Sequence, residues 1–199
     1  MSYSDFTIEE VKTQFKLRFD ETLEYFAAVP PVPVSAMLTD TLAENIPLAV
    51  AISTEKARSE LIIVPILLEV RRRVQRKISL FSGVEFTVDA SQGLKGVCDF
   101  ILSLSPEQLT IEAPVVAVVE AKNDNLKSGI GQCIAEMVAA RLFNEQKGRA
   151  IKYVHGVVTT GSLWKFLKLQ GDQVSLDPRE YYIHETGRIV GIMVSMIPV

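Results

Sequence analysis

Three residues that could do chemistry stand where a core would not choose them. Asp99 sits inside the apolar stretch Val97–Ile101, and Glu120 and Lys122 close the run that starts at Val115. If both stretches are strands, side chains two apart share a face, so Glu120 and Lys122 project together. A meander would set Asp99 beside Glu120. Two carboxylates taken out of water side by side repel each other and lose hydration, and a divalent cation relieves both costs. Hard oxygen donors with room for water suit Mg²⁺ or Mn²⁺. The Lys122 ammonium adds a positive charge that can orient a water or neutralise charge on a phosphorane. Gln132 opens the helical stretch that follows, and Glu55 and Glu60 belong to an earlier one.

The elements that must position these groups follow from hydrophobic periodicity. Thr7 and Glu10 form a capping box, and Ile8, Val11, Phe15, Phe19, Leu23 and Phe26 recur at helical spacing, which predicts a helix over 8–26. Pro30, Pro31 and Pro33 forbid its continuation, and a short helix is expected over 37–46. Ser53 or Thr54 can cap a longer helix over 55–77, with Pro65 inside it as a kink or break. Strands are then expected over 84–89, 96–104 and 115–122. The third is apolar on both faces, as in the middle of a covered sheet. A helix over 130–146, a strand over 153–160, a Gly161-Ser162 turn, a strand over 163–169 and a short strand over 174–176 complete the order. The segment 187–197 reads equally as helix or strand. The order is α-β-β-β-α-β and then further strands, a mixed α/β layering.

The chain has 199 residues, 48% of them hydrophobic and 23% charged, with 21 basic and 24 acidic side chains. These values exclude a disordered tail, a collagen-like repeat, a disulfide scaffold and a wholly basic nucleic-acid coat. They leave room for a nucleic-acid enzyme with a local basic patch. No signal-peptide pattern opens the chain, and the apolar tail 189–199 is short of the roughly 20 residues a membrane span needs. A cytoplasmic protein with free Cys98 and Cys133 is expected. If exposed, the tail predicts a homodimer. The run Arg71–Lys77 reads either as a helix end favouring its dipole or as a phosphate-contacting patch, which Lys127, Lys147, Arg149, Lys152, Lys165 and Lys168 could extend. His155 reads as a core histidine and Trp164 as a packing anchor. Zinc spacing, a Walker A loop and a serine-hydrolase elbow are absent from the sequence.

The Asp99–(twenty residues)–Glu120-Ala121-Lys122 pattern resembles the PD-(D/E)XK nuclease superfamily, and the flanking text extends the likeness. Gly96-Val97-Cys98-Asp99-Phe100-Ile101-Leu102 resembles its G-x-x-D-[FY]-x-L strand, and Val118–Asn123 its v-I-E-x-K strand. Gly129-Ile130-Gly131-Gln132 resembles the G-x-x-Q helix start, and Val157–Phe166 the strand-turn-strand that follows. Glu55, ten residues before Pro65, resembles the E…P-x-L helix of type I restriction subunit nucleases and their single-domain relatives. The likeness spans about 55–169. Two departures stand out: Cys98 replaces the family's proline, and Glu136 replaces the tyrosine expected four residues after Gln132, adding negative charge near a phosphate path.

This resemblance implies a restriction-endonuclease-like mixed sheet with an αβββαβ core flanked by helices. A helical N-terminal extension (1–50) would pack on the nuclease domain (51–199). It implies a Mg²⁺-dependent (or Mn²⁺-dependent) endonuclease hydrolysing DNA phosphodiester bonds. Asp99 and Glu120 would hold the metal, with the Ala121 carbonyl completing the shell. Lys122 would activate or position water, and Gln132 would orient Lys122 or a phosphate. Glu55 or Glu60 would contact the metal through water or hold the lysine. The alternative is a catalytically inactive binding or regulatory module on the same fold.

Overall fold

The apolar run at Val115 forms the centre of a sheet. In the computed structural model, which describes residues 1–198, β4 (Val115–Ala121) is buried along its whole length. Its neighbours are β3 (Val97–Ser103), antiparallel, and β5 (Val154–Thr159), parallel. β2 (Ser79–Glu85) pairs with β3 at one edge. On the other side follow β6 (Leu163–Gln170), β7 (Gln173–Leu176) and β1 (Arg18–Asp20), giving the order β1-β7-β6-β5-β4-β3-β2; β8 (Tyr181–Tyr182) also pairs with β6.

Helices cover both faces. On one side α1 (Ile8–Gln14) packs on α5 (Leu126–Gln146), which lies across β4 and β5. On the other lie α2 (Ala36–Ile52), α3 (Glu55–Arg58), α4 (Val64–Arg73) and α6 (Thr186–Ser195). Around β4 the order α4-β2-β3-β4-α5-β5 matches the expected one. Among the described residues no helix is long and apolar enough to cross a membrane.

The helix expected over 8–26 stops at Gln14. Thr7 and Glu10 cap it reciprocally, with Glu10 N–H donating to the Thr7 hydroxyl at 3.2 Å and Thr7 N–H to the Glu10 carboxylate at 2.7 Å. Lys16 then takes a left-handed φ of 52°, and Phe19 enters β1 opposite Val174. The aromatic residues at helical spacing serve two cores. Phe15 meets Phe6 on the α5 side, and Phe26 meets Phe166 on the α4 side, each pair with ring centroids 5.6 Å apart. No single helix could do both. The first 50 residues are therefore not helical throughout, since β1 is an edge strand of the sheet.

The helix expected over 55–77 begins at Glu55, capped by the Thr54 side chain, and ends at Arg73. A π-helical turn, Ser59–Ile63, joins α3 to α4 immediately before Pro65. Proline has no N–H for the carbonyl four residues earlier. That carbonyl, on Leu61, accepts from Asn45 Nδ2 of α2 at 2.9 Å. The strand expected over 84–89 starts earlier, at Ser79. Ser82 and Gly83, expected as punctuation, lie inside it, with Gly83 at φ 62°. The undecided segment 187–197 is mostly α6. Its apolar residues Ile189, Val190, Ile192, Met193, Met196 and Ile197 are buried, so the exposed tail that would predict a dimer is not there; Val199 lies outside the described residues.

Candidate active site

The site forms where β3 and β4 part. Their ladder pairs Ile101 with Val118 and Phe100 with Val119. One step further along that register, Asp99 faces Glu120. There the Asp99 carboxylate replaces a strand partner, accepting from the Ala121 N–H at 2.8 Å. On the other side, Lys122 N–H donates to the Thr159 carbonyl of β5 at 2.8 Å, fixing the backbone from which the lysine projects.

Glu120 is 1% exposed. Its Oε1 accepts from the Lys122 ammonium, and its Oε2 has no partner among the described residues. Lys122 Nζ also donates to Gln132 Oε1 at 3.3 Å, and Gln132 Nε2 donates to Glu136 Oε1 at 3.2 Å. Burial and then the Asp99 charge raise the pKa of the Glu120 carboxyl, while Lys122 pulls the other way. Burial works to lower the Lys122 pKa, but Glu120, then Glu55 and Asp99, outweigh it and keep the ammonium charged.

Glu55 and Glu60 both line a cleft of about 230 Å³ with Ser59, Ser82, Gly83 and Asp99. The two are not equivalent. Burial raises the pKa of Glu55, with Lys122 opposing and Asp99 reinforcing the shift, so Glu55 lies in the field of the site. Glu60 is exposed and pairs with Lys56 at 3.1 Å.

Two carboxylates with a stranded oxygen fit a magnesium-sized ion, which binds through one or two carboxylates and keeps several waters. Among the described residues no group of three or more His, Cys, Asp or Glu side chains forms a fuller metal cage. Asp99 and Glu120 are the available side-chain donors.

Other expectations fare differently. Glu136 lies near the site, in the field of Glu120, Asp99 and Lys122, but it is fully buried on α5 and so does not meet a phosphate path directly. In the basic run, Arg72 and Arg73 pair with buried Glu69 at 3.1 and 3.2 Å, and Arg71 Nε donates to the Ile78 carbonyl. This favours the helix-end reading. Lys165 donates to the Pro178 carbonyl, Lys147 lies over the Phe143 ring, and Lys152 and Lys168 lie over Tyr153. Cys98 and Cys133 are free and buried, their thiols pushed up by burial and then by the nearby Glu136 charge. Trp164 is an anchor, its Nε1 donating to the Gly161 carbonyl.

Two contributors escaped the sequence. Asn144 of α5 is buried and bonds both backbone groups of Val115, accepting from its N–H at 2.7 Å and donating to its carbonyl at 2.8 Å. It fixes α5 against the start of β4. Arg58 reaches from α3 to the Thr160 carbonyl and the Ser162 hydroxyl, both at 3.1 Å, tying the cleft's helical wall to the turn after β5. Neither contact has a local sequence signal, since each partner is distant in the chain. No protein-family model matches the chain, and no curated protein matches it in sequence.

Proposed function

We propose that this chain is a divalent-cation-dependent nuclease of the PD-(D/E)XK class, with a restriction-endonuclease-like fold, hydrolysing phosphodiester bonds of DNA. One observation carries the reading: Asp99, Glu120 and Lys122 converge where β3 and β4 part, with one buried Glu120 oxygen unpartnered among the described residues. The order α4-β2-β3-β4-α5-β5, with β4 and β5 parallel, supports the fold assignment.

Asp99 and Glu120, with the Ala121 carbonyl, would hold Mg²⁺ or Mn²⁺; when bound, such an ion offers Lewis-acid stabilisation of charge on phosphoryl oxygens. The side chains do the rest. An ammonium has three N–H donors. Lys122 gives one to Glu120 and one to Gln132, leaving one for the attacking water or a phosphoryl oxygen. Glu55, on the cleft wall, can accept a hydrogen bond from that water and hold it in line with the phosphorus. The water passes a proton to Glu55 as its oxygen bonds to phosphorus, and the leaving oxygen, as its bond breaks, takes up a proton from solvent in the open cleft. The buried floor keeps these directions fixed, so little reorganisation is needed at the moment of reaction.

The test is magnesium-dependent nicking of supercoiled plasmid by the wild type, Lys122→Ala and Asp99→Asn. The wild type should nick, and each variant should lose at least about a hundredfold in rate, the scale of a positioned proton-handling or charge-stabilising group. Equal activity in all three overturns the reading. A second reading, a nuclease-fold module without catalysis, is favoured by the direct Lys122–Glu120 contact, which occupies one carboxylate oxygen. Calorimetry with Mn²⁺ separates them: the nuclease binds the ion and Asp99→Asn weakens binding, whereas absence of binding supports the inactive module.

A further inference from the structure

We propose that Glu136 is a positioning residue that, through Gln132, sets the direction in which Lys122 presents its free N–H. The catalytic consequence rests on the nuclease reading above, while the positional link stands on geometry alone.

Lys122 is a donor only, so the group it meets on α5 must be the amide oxygen of Gln132. That choice turns the amide nitrogen inward, where Gln132 is almost completely buried. A buried N–H₂ needs an acceptor or it costs the full desolvation of the group. Glu136, one helical turn further on, supplies it at 3.2 Å. The surroundings offer Glu136 no competing partner. The Tyr3 hydroxyl donates to the Phe86 carbonyl and the Cys133 thiol to the Val157 carbonyl. The second Glu136 oxygen is unpartnered among the described residues. Glu136 thus holds one orientation of one amide. With Glu120 and Gln132 fixing two of the three Lys122 N–H directions, the third is fixed too.

The experiment compares Glu136→Met, Glu136→Gln, Gln132→Ala and the double variant Glu136→Met/Gln132→Ala with the wild type. Methionine keeps the length and removes the acceptor; glutamine keeps an acceptor oxygen. In single-turnover nicking with Mg²⁺ and saturating plasmid, Glu136→Met should fall about 10- to 100-fold, the scale for outer residues that orient a working group. DNA affinity should be unchanged. Glu136→Gln should restore most of the rate. The double variant should be no slower than Gln132→Ala alone, since the effect passes through that amide. A second readout needs no catalysis: in ¹⁵N NMR the Gln132 side-chain amide protons should exchange slowly in the wild type and Glu136→Gln, and faster in Glu136→Met.

Three results overturn the proposal: a wild-type rate and a protected Gln132 amide in Glu136→Met; additive losses in the double variant; or a rate loss in Glu136→Met no larger than its loss of folded fraction by circular dichroism. A wild type that does not nick, with Gln132 protection still dependent on Glu136, overturns the nuclease reading and upholds the positional link.

Discussion

Gly129 holds the first turns of α5 against the Lys122 chain. A Cβ there would stand 2.9 Å from Lys122 Cε and 2.9 Å from Val158 Cγ1. The lysine end can give way, whereas Val158 is β-branched and fully buried in β5, and that overpacking offsets the about 1 kcal/mol by which alanine is the better helix former. Gly129→Ala should therefore leave the thermal midpoint nearly unchanged while displacing the ammonium. Misplacing a working group by about 1 Å costs roughly a hundredfold in rate, so plasmid nicking should fall between about tenfold and that limit; an unchanged rate would show that Lys122 tolerates the shift. At this scale much of the site is legible in the sequence. Asp99, Glu120 and Lys122 are polar residues in apolar strands, and strand parity alone puts Glu120 and Lys122 on one face. The nearness of Glu136 to the site is legible in its spacing from Gln132, but its complete burial is not, because α5 is buried nearly all round at its centre and shows no clear polar stripe. The choice between Glu55 and Glu60 needed the actual course of the helix: the first faces the field of Lys122 and Asp99, and the second pairs with Lys56.

Pro65 shows how one element depends on another. Its missing N–H removes the donor that an α-helix would offer the Leu61 carbonyl, and Asn45 of α2 supplies one from outside. Asn45→Ala should strand that carbonyl and cost about 1–3 kcal/mol, measured as a lower urea midpoint. No change would mean that the π-helical turn satisfies the carbonyl itself. The sequence foretold a break near Pro65 but not its form, because the repair comes from a residue on another helix. The central strands and α5 were legible for the opposite reason: their burial and turn signals are local. The stretch 8–26 was not, because a 3.6-residue recurrence of Phe and Leu can arise from short pieces that feed two cores. Only the reversal at Lys16 separates them.

Across the whole molecule, the two faces of the sheet carry separate cores, and His155 of β5 belongs to the one that holds Phe26. Burial, and then Lys168, lower its pKa from 6.5 to about 4, so it is neutral in the folded chain at neutral pH. Below pH 6.5 the unfolded chain takes up a proton that the folded chain refuses until about pH 4. Stability from this group is therefore complete above pH 6.5 and is lost as pH falls to 4, by about 3 kcal/mol in all. In urea titrations at pH 7 and pH 4, His155→Leu should lose less stability on acidification than the wild type by about that amount. Equal losses would place the acid sensitivity elsewhere.

Segments far apart in the sequence also interlock. β1 lies parallel to β7, and Arg18 meets Asp172 across 154 residues of sequence. The Val32 N–H donates to the Gly187 carbonyl, and the Pro30 carbonyl lies so close to α6 that a Cβ at Gly191 would stand 2.7 Å from it. On a translating ribosome the partners of the leading segment do not yet exist when that segment emerges. At about 5–20 residues per second, it waits roughly 8–30 s for them. β1 has no edge to join until β7 is synthesised, so the sheet closes there only after the segment about 154 residues later has emerged.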